Sequence, residues 1–441
     1  MSLPRYLEYK DSGVEWLGDL PSHWRVRKFR HSFQESSEKI EGEVFGQMLS
    51  VSGYRGIEIK DYDDENRRRT DQELQGYRIV RHGQLVVNTM WLNYAGLGVS
   101  AHEGHVSPAY RAYWVCADLE PRFVHHMMRC GEFVKGYTKF LTGVRPNSLQ
   151  MSREDLMEFR LAEPPRPEQV AIAKFLDRET ARIDALIVEQ EKLLALLAEK
   201  RQTTISHAVT RGLDPNVPMK DSGIAWLGDI PANWRMTRIK ELSCFTTSGP
   251  RGWSERISEE GSLFIQSGDL TEALGLDLAA AKRVHVGDDA EAARTRLIGG
   301  DVVVCITGAK TGNVALCPPL DEPAYVNQHL CLIRPTTAVD GYFLGAALKS
   351  DIGRTQIDMA QYGLKQGLSL EDVRDLWIAL PPPDEQEAIL GFIKGVTRRF
   401  DSLMETADAA VALLRERRSS LISAAVTGQI DVRCLVSEEA T

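Results

Sequence analysis

The chain states much of its sequence twice. DSGVEWLGDLPSHWRV at residues 11–26 returns as DSGIAWLGDIPANWRM at residues 221–236, and the stretch from Pro164 to Asp214 aligns without a gap on the stretch from Pro381 to Asp431. A repeat of half a chain is far longer than the roughly 20–50-residue period of a solenoid or propeller. Each copy is therefore expected to be a whole domain with a connecting element, and the molecule a pseudo-two-fold tandem repeat. The length of 441 residues agrees, because single cores rarely keep growing to that size.

The repeat separates shared pieces from variable ones. The variable pieces, residues 27–161 and 237–378, contain short apolar runs such as QLVVN, YRAYWVC, SLFIQS and DVVVCITG between glycine-bearing turns, the texture of mixed α/β domains. HGQLVV at 82–87 corresponds to GGDVVV at 299–304, so the two variable domains are expected to share a fold. In each, that strand runs into a polar loop, NTMWLNYAGLGVS or ITGAKTGNVA. A later loop, LTGVRPNSLQMSREDL at 141–156, matches YGLKQGLSLEDV at 362–373.

After each proline cluster the sequence predicts a long helix, opening at Pro167 and Glu168 or at Asp384 and Glu385. A 3,4 spacing through Ile183, Leu186, Gln190, Leu193, Leu197 and Lys200 marks a one-sided seam. Its repeat is Phe400, Leu403, Ala407, Ala410, Leu414 and Arg417. Such a rod, about 60 Å long at 1.5 Å per residue, is too long to bury in one small domain. Two antiparallel coiled-coil helices that cover each other's seams, with a globular domain at each end, satisfy the pattern. The expected boundaries are 1–162 and 213–379 for the two domains with their repeated leading segments, 163–212 and 380–432 for the helices, and 433–441 for a tail.

Composition limits what such a molecule does. There is no apolar run of membrane-spanning length and no signal-peptide pattern, so a cytoplasmic protein without a membrane partner is expected. The seven cysteines (Cys116, Cys130, Cys244, Cys305, Cys317, Cys331 and Cys434) are scattered and never spaced C-x-x-C, which predicts reduced thiols rather than disulfides or zinc ligands. Enzyme signatures are weak. GAKTG at 308–312 lacks the order of a phosphate loop, HEGH at 102–105 reads as a loop or surface segment rather than a metal motif, and no nucleophile elbow is present. No metal and no catalytic residue are expected in this chain.

The tryptophan pairs, Trp16 with Trp24 and Trp226 with Trp234, bracket LGD[LI]P turns and read as packing anchors. The loops carry the side chains that read base edges: Lys310, Thr311 and Asn313, followed by Asn327 and Gln328, with Lys365 and Gln366, in the second domain. Asn88, Asn93, Tyr94, Arg145 and Asn147 hold comparable places in the first. The run Arg67–Arg69 after DYDDEN reads as a solvated hairpin tip. Against DNA binding stands a net charge of −9, since a lone DNA binder usually carries a basic surplus. Basic partner subunits could supply phosphate contacts instead.

The DSG[VI]xWLGD[LI]PxxW segment, the P-P-x-x-E-Q helix opening and the ISxAVT helix ending each occur twice, in the order segment, variable domain, helix. In this the whole chain resembles the specificity subunit of type I restriction-modification systems. The resemblance implies that the variable domains are target recognition domains, each reading one half of a split double-stranded DNA sequence, and that the helices set the spacer. It also implies two modification subunits that hold S-adenosylmethionine and methylate adenine, and restriction subunits that use ATP and Mg to cut DNA. This chain would bind no cofactor itself. A self-contained methyltransferase would need a [DNS]-P-P-[YFW] motif, which is lacking: the paired prolines at 164 and 381–383 open helices. A scaffold that binds no DNA is the third reading, and footprinting would separate it from the first.

Overall fold

The computed structural model describes residues 3–53, 55–61, 69–142, 150–224, 226–361 and 367–437. Its contacts divide the chain into two compact units, Met1–Glu191 with Ala409–Thr441, and Lys192–Asp408. The division runs through both long helices, so each unit combines one variable domain with part of each helix.

The first unit contains two four-stranded sheets. In one, Phe33–Glu35, Arg111–Val115, Leu85–Val87 and Leu97–Val99 lie side by side and all pair antiparallel. In the other, Gly56–Ile59, Gln47–Ser52, Gly104–Val106 and Arg78–Val80 are ordered with a parallel pairing between Gln47–Ser52 and Gly104–Val106. The second unit repeats the all-antiparallel sheet with Ser243–Ser248, Leu330–Pro335, Val302–Cys305 and Val314–Leu316. It also repeats the mixed sheet, where Ser262–Ile265 and Ala324–Val326 are the parallel pair. Val302, Val303, Val304 and Cys305 are all fully buried, which explains their unbroken apolar run: a central strand covered on both faces has no polar side.

The repeated segments anchor these domains to helix ends. In the first unit Leu17, Leu20 and Trp24 share a core with Ile422, Ala425 and Val426. In the second, Leu227, Ile230 and Trp234 pack with Ala208 and Val209. Each helix stops at a glycine with positive φ, Gly428 at 72° and Gly212 at 78°, the left-handed residue that closes a helix at its C-terminus. At Gly428 a Cβ would also lie 2.4 Å from Pro21 Cδ, so only glycine allows this close docking. The tryptophans are packing anchors, as expected: Trp24 is fully buried and donates to Glu168 Oε1 at 3.0 Å, and Trp16 stacks on Phe159.

The long helices span Arg166–Arg211 and Pro383–Val426. They run antiparallel, as their ion pairs show. In the first unit Asp184 pairs with Arg418 at 2.8 Å and Glu191 with Arg415 at 2.9 Å. In the second, Arg201 pairs with Asp401 at 3.5 Å, the repeat of the Asp184–Arg418 pair with the helices exchanged.

The seam differs from the expected one in a regular way. Ile183 is buried, and so is Ile187 at 5% exposure, whereas Leu186 is 52% exposed. Leu193 and Leu403 are also exposed, while Leu194, Leu197, Phe400, Met404 and Leu414 are partly covered and Val411 is buried. The covered positions follow a 4,3 order rather than 3,4, so every second residue moves on by one. Steps of three and of four both fall close to one turn of 3.6 residues, and Leu186–Ile187 and Leu193–Leu194 are apolar at both positions. The apolar stripe is wider than the seam, and packing against the partner helix selects its centre.

Candidate nucleic-acid interface

In the first unit the strand Leu85–Val87 delivers the chain into the loop at residues 88–96. Asn88 is buried at its root. Its N–H donates to the Gly96 carbonyl at 2.8 Å and its side-chain oxygen accepts from Met90 N at 3.2 Å, so this asparagine shapes the loop. Asn93 is partly buried. Tyr94 and its neighbour Trp91 are more than half exposed, edge to face with ring centroids 6.1 Å apart, and Met90 is exposed beside them. The turn behind them uses Ala95 at φ 53° and Gly96, where a Cβ would meet the Trp91 carbonyl at 2.5 Å.

Arg129 holds this loop from below. At the end of the helix Pro121–Arg129, its guanidinium donates to the carbonyls of Ser52, Gly53, Ala95 and Leu97. Burial draws its pKa down to about 10, with Arg418 adding repulsion. The group stays charged at neutral pH and ties the hairpin turn at Ser52–Gly53 to the 88–96 loop. Its repeat is Lys349, at the end of Gly341–Lys349, whose ammonium donates to the Thr271 carbonyl at 3.4 Å. Burial lowers its pKa, against the pull of Glu272.

The second loop of the first unit leaves and returns through a pairing of Thr142 with Gln150, and Met151 N then donates to the Thr89 carbonyl at 3.2 Å. The two loops singled out in the sequence are thus joined at their roots. Arg145 and Asn147 lie outside the described residues, as do Arg67 and Arg68, while Arg69 lies over the Tyr77 ring. His105 is not in a surface loop: it is buried in Gly104–Val106, with Nδ1 2.8 Å from the Phe45 carbonyl.

The second unit repeats the junction. Leu368 N donates to the Ile306 carbonyl at 2.8 Å, the same bond at the equivalent positions. Lys310 is exposed and reaches the Gly268 carbonyl at 3.3 Å, and Thr311 donates to the Gly308 carbonyl at 2.6 Å. Asn313 turns inward: its amide donates to the Leu270 carbonyl and its oxygen accepts from Val314 N. Lys365 and Gln366 lie outside the described residues. Beside Thr307 the structure adds His329, which is exposed and bonded to the threonine hydroxyl, with Gln328 at 3.1 Å from its other ring nitrogen.

Residues 231–412 match the family described as the type I restriction modification DNA specificity domain. The chain is 22% identical over 292 residues to the type I restriction enzyme EcoBI specificity subunit of Escherichia coli, an alignment that covers 64% of this chain and 60% of that protein. In sequence the chain is thus similar to type I restriction-modification specificity subunits. A solved structure concerned with complex assembly and conformational transition of the type I R-M system contains a chain with the same fold. The TM-score is 0.69 at 14% identity, over 92% of this chain and 98% of that one. The matched segment of the specificity family takes in the second variable domain and most of the second helix, and the internal repeat carries the same architecture to the first. No described helix of the chain is long and apolar enough to cross a membrane. Among the described residues no group of three His, Cys, Asp or Glu is placed to hold a metal ion.

Proposed function

We propose that this chain is the non-catalytic, sequence-reading subunit of a type I restriction-modification complex in the cytoplasm, and that each variable domain reads one half of a bipartite double-stranded DNA target. The observation that carries this reading is the loop junction built twice, Met151 on Thr89 and Leu368 on Ile306, which presents different side chains on one frame. In the first domain the frame offers Met90, Trp91 and Tyr94, apolar and aromatic surfaces suited to thymine methyl groups and base faces. In the second it offers Lys310, Thr311, Gln328 and His329, hydrogen-bonding groups suited to base edges. A shared scaffold with unlike readers is what an asymmetric split target requires.

In this reading the paired helices set the spacer, and the repeated segments at their ends dock two modification subunits, which hold S-adenosylmethionine. Restriction subunits supply ATP- and Mg-dependent cleavage. The net charge of −9 fits a subunit whose partners make most phosphate contacts. Comparing methylomes of the source cell with and without this gene tests the reading. Loss of one split adenine-methylation motif is expected. An unchanged methylome, in a cell that expresses the modification subunits, contradicts it.

A further inference from the structure

Three arginines of the first domain converge on one carboxylate. Glu35, in the strand Phe33–Glu35, accepts from Arg111 at 2.6 Å and from Arg153 through two nitrogens at 3.1 Å each, and Arg78 lies 3.9 Å away. Burial works to raise the Glu35 pKa, but the arginine bonds outweigh it and hold the carboxyl below its usual range, so it is charged. The cluster retains two positive charges beyond those Glu35 neutralises. Arg111 alone would satisfy one carboxylate oxygen and Arg153 the other. Gathering a third guanidinium in a half-enclosed place is unfavourable unless another anion joins it.

The cluster also stands at the root of the candidate reading loops. Arg111 pairs across the sheet with Val87, the last strand residue before the 88–96 loop. Arg153 follows two residues after Met151, the residue bonded to Thr89, and is 59% exposed. Strand pairing and the repeat give the corresponding positions of the second domain. Arg111 matches Cys331, since these residues face Val87 and Val304 in the equivalent ladders, and Glu35 matches Thr246. Arg78 and Arg153 match Thr295 and Leu370. The first domain thus carries four charged groups where the second carries none.

We propose that Arg78, Arg111 and Arg153, held in place by Glu35, form a phosphate clamp that takes a backbone phosphodiester of the DNA at the first half-site, with no equivalent clamp at the second. The proposal rests on the DNA-reading function above and adds an electrostatic asymmetry between its two halves. Guanidiniums oriented by a carboxylate suit a phosphate because their remaining N–H groups already point in fixed directions. Such a contact fixes register without reading sequence.

The test uses the chain assembled with its modification subunits and duplex DNA that carries the split motif methylated in the source cell. Dissociation constants are measured between about 50 and 200 mM salt. Each lost phosphate contact makes the slope of log affinity on log salt shallower by about 0.9, so Arg153→Gln is expected to lose about threefold less affinity than wild type over that fourfold rise. Arg153→Lys restores the charge and is expected to keep the wild-type slope. Arg283→Gln, at a partly exposed arginine paired with Glu322 in the second domain, is expected to leave it unchanged. The methylated motif stays the same in every variant. A wild-type slope for Arg153→Gln, or failure of Arg153→Lys to restore the slope, overturns the clamp alone. Failure of the wild-type complex to bind the duplex overturns the clamp together with the DNA-reading function.

Discussion

His125 fills space that two glycines leave open: a Cβ on Gly56 would lie 2.7 Å from its Cε1, and one on Gly98 3.4 Å. Burial, reinforced by the guanidiniums of Arg129 and Arg122, pushes its pKa down from the usual 6.5 to about 3. The sign of the consequence follows from proton counting. Between about pH 6.5 and 3 the unfolded chain binds a proton that the folded chain refuses, so stability is complete above 6.5 and falls as the solution is acidified. The loss is up to about 1.4 kcal/mol per pH unit. Glu35 and Asp177 are also held low, in each case by ion pairs that overcome partial burial, but their contributions are lost only below the usual carboxylate range. Urea denaturation of the first unit at pH 6.5 and 5 is therefore expected to show a drop in the wild type that His125→Gln largely removes; equal drops would exclude His125 as the group that titrates. The VHHMMRC stretch reads in the sequence as a partly packed helical face, which is where His125 lies, but Arg129 did not stand out. Arg129 is bound by four backbone carbonyls, and a carbonyl has no residue identity from which its partner can be read. Asn88 was visible but misleading, because an asparagine that closes its own turn has the same letter as one that reads adenine.

At the scale of elements, the helices and their partnership were legible because the proline openings, the glycine stops and the long uninterrupted stretches are local signals. The register of the seam was not. Leu186 and Ile187 are equally apolar, and only the partner helix distinguishes them: Ile187 packs with Ile183 and Val411, while Leu186 faces outward. Ile187→Ala is expected to cost about 2–4 kcal/mol through the cavity left behind. Leu186→Ala is expected to cost less than about 1 kcal/mol, as for surface positions. Leu193→Asp is expected to be tolerated on the same ground, since its side chain is exposed. Denaturation midpoints of the intact chain check all three, and a larger loss at Leu186 than at Ile187 would reverse the seam assignment. The loops behave differently from the helices. Their roots are described and match between units, but their direction depends on glycine turns and on carbonyl contacts such as those of Arg129, which no periodic pattern reveals.

For the whole molecule, the duplication announced two similar halves, but the compact units are not the two halves of the sequence. The first unit needs both ends of the chain. Ile422, Val426, Ile430 and Val432 lie in the same core as Leu20 and Trp24, and Asp431 N donates to the Pro4 carbonyl at 2.8 Å. The reading loops, by contrast, fall cleanly by unit: residues 88–96 belong to the first and 307–313 to the second, each tied to its own domain by its own junction. Lys310 is exposed and reaches the Gly268 carbonyl at 3.3 Å, so removing its side chain leaves the core of the second unit intact. Lys310→Ala is expected to relax one base position in a single half of the methylated motif, with about 1–3 kcal/mol lost against the preferred base, while the other half remains as stringent as before. Methylome sequencing of cells that carry the variant reads this directly. Relaxation of both halves would mean that the two units do not read independently, and a uniform fall in methylation without relaxation would place Lys310 on the phosphate backbone rather than on a base.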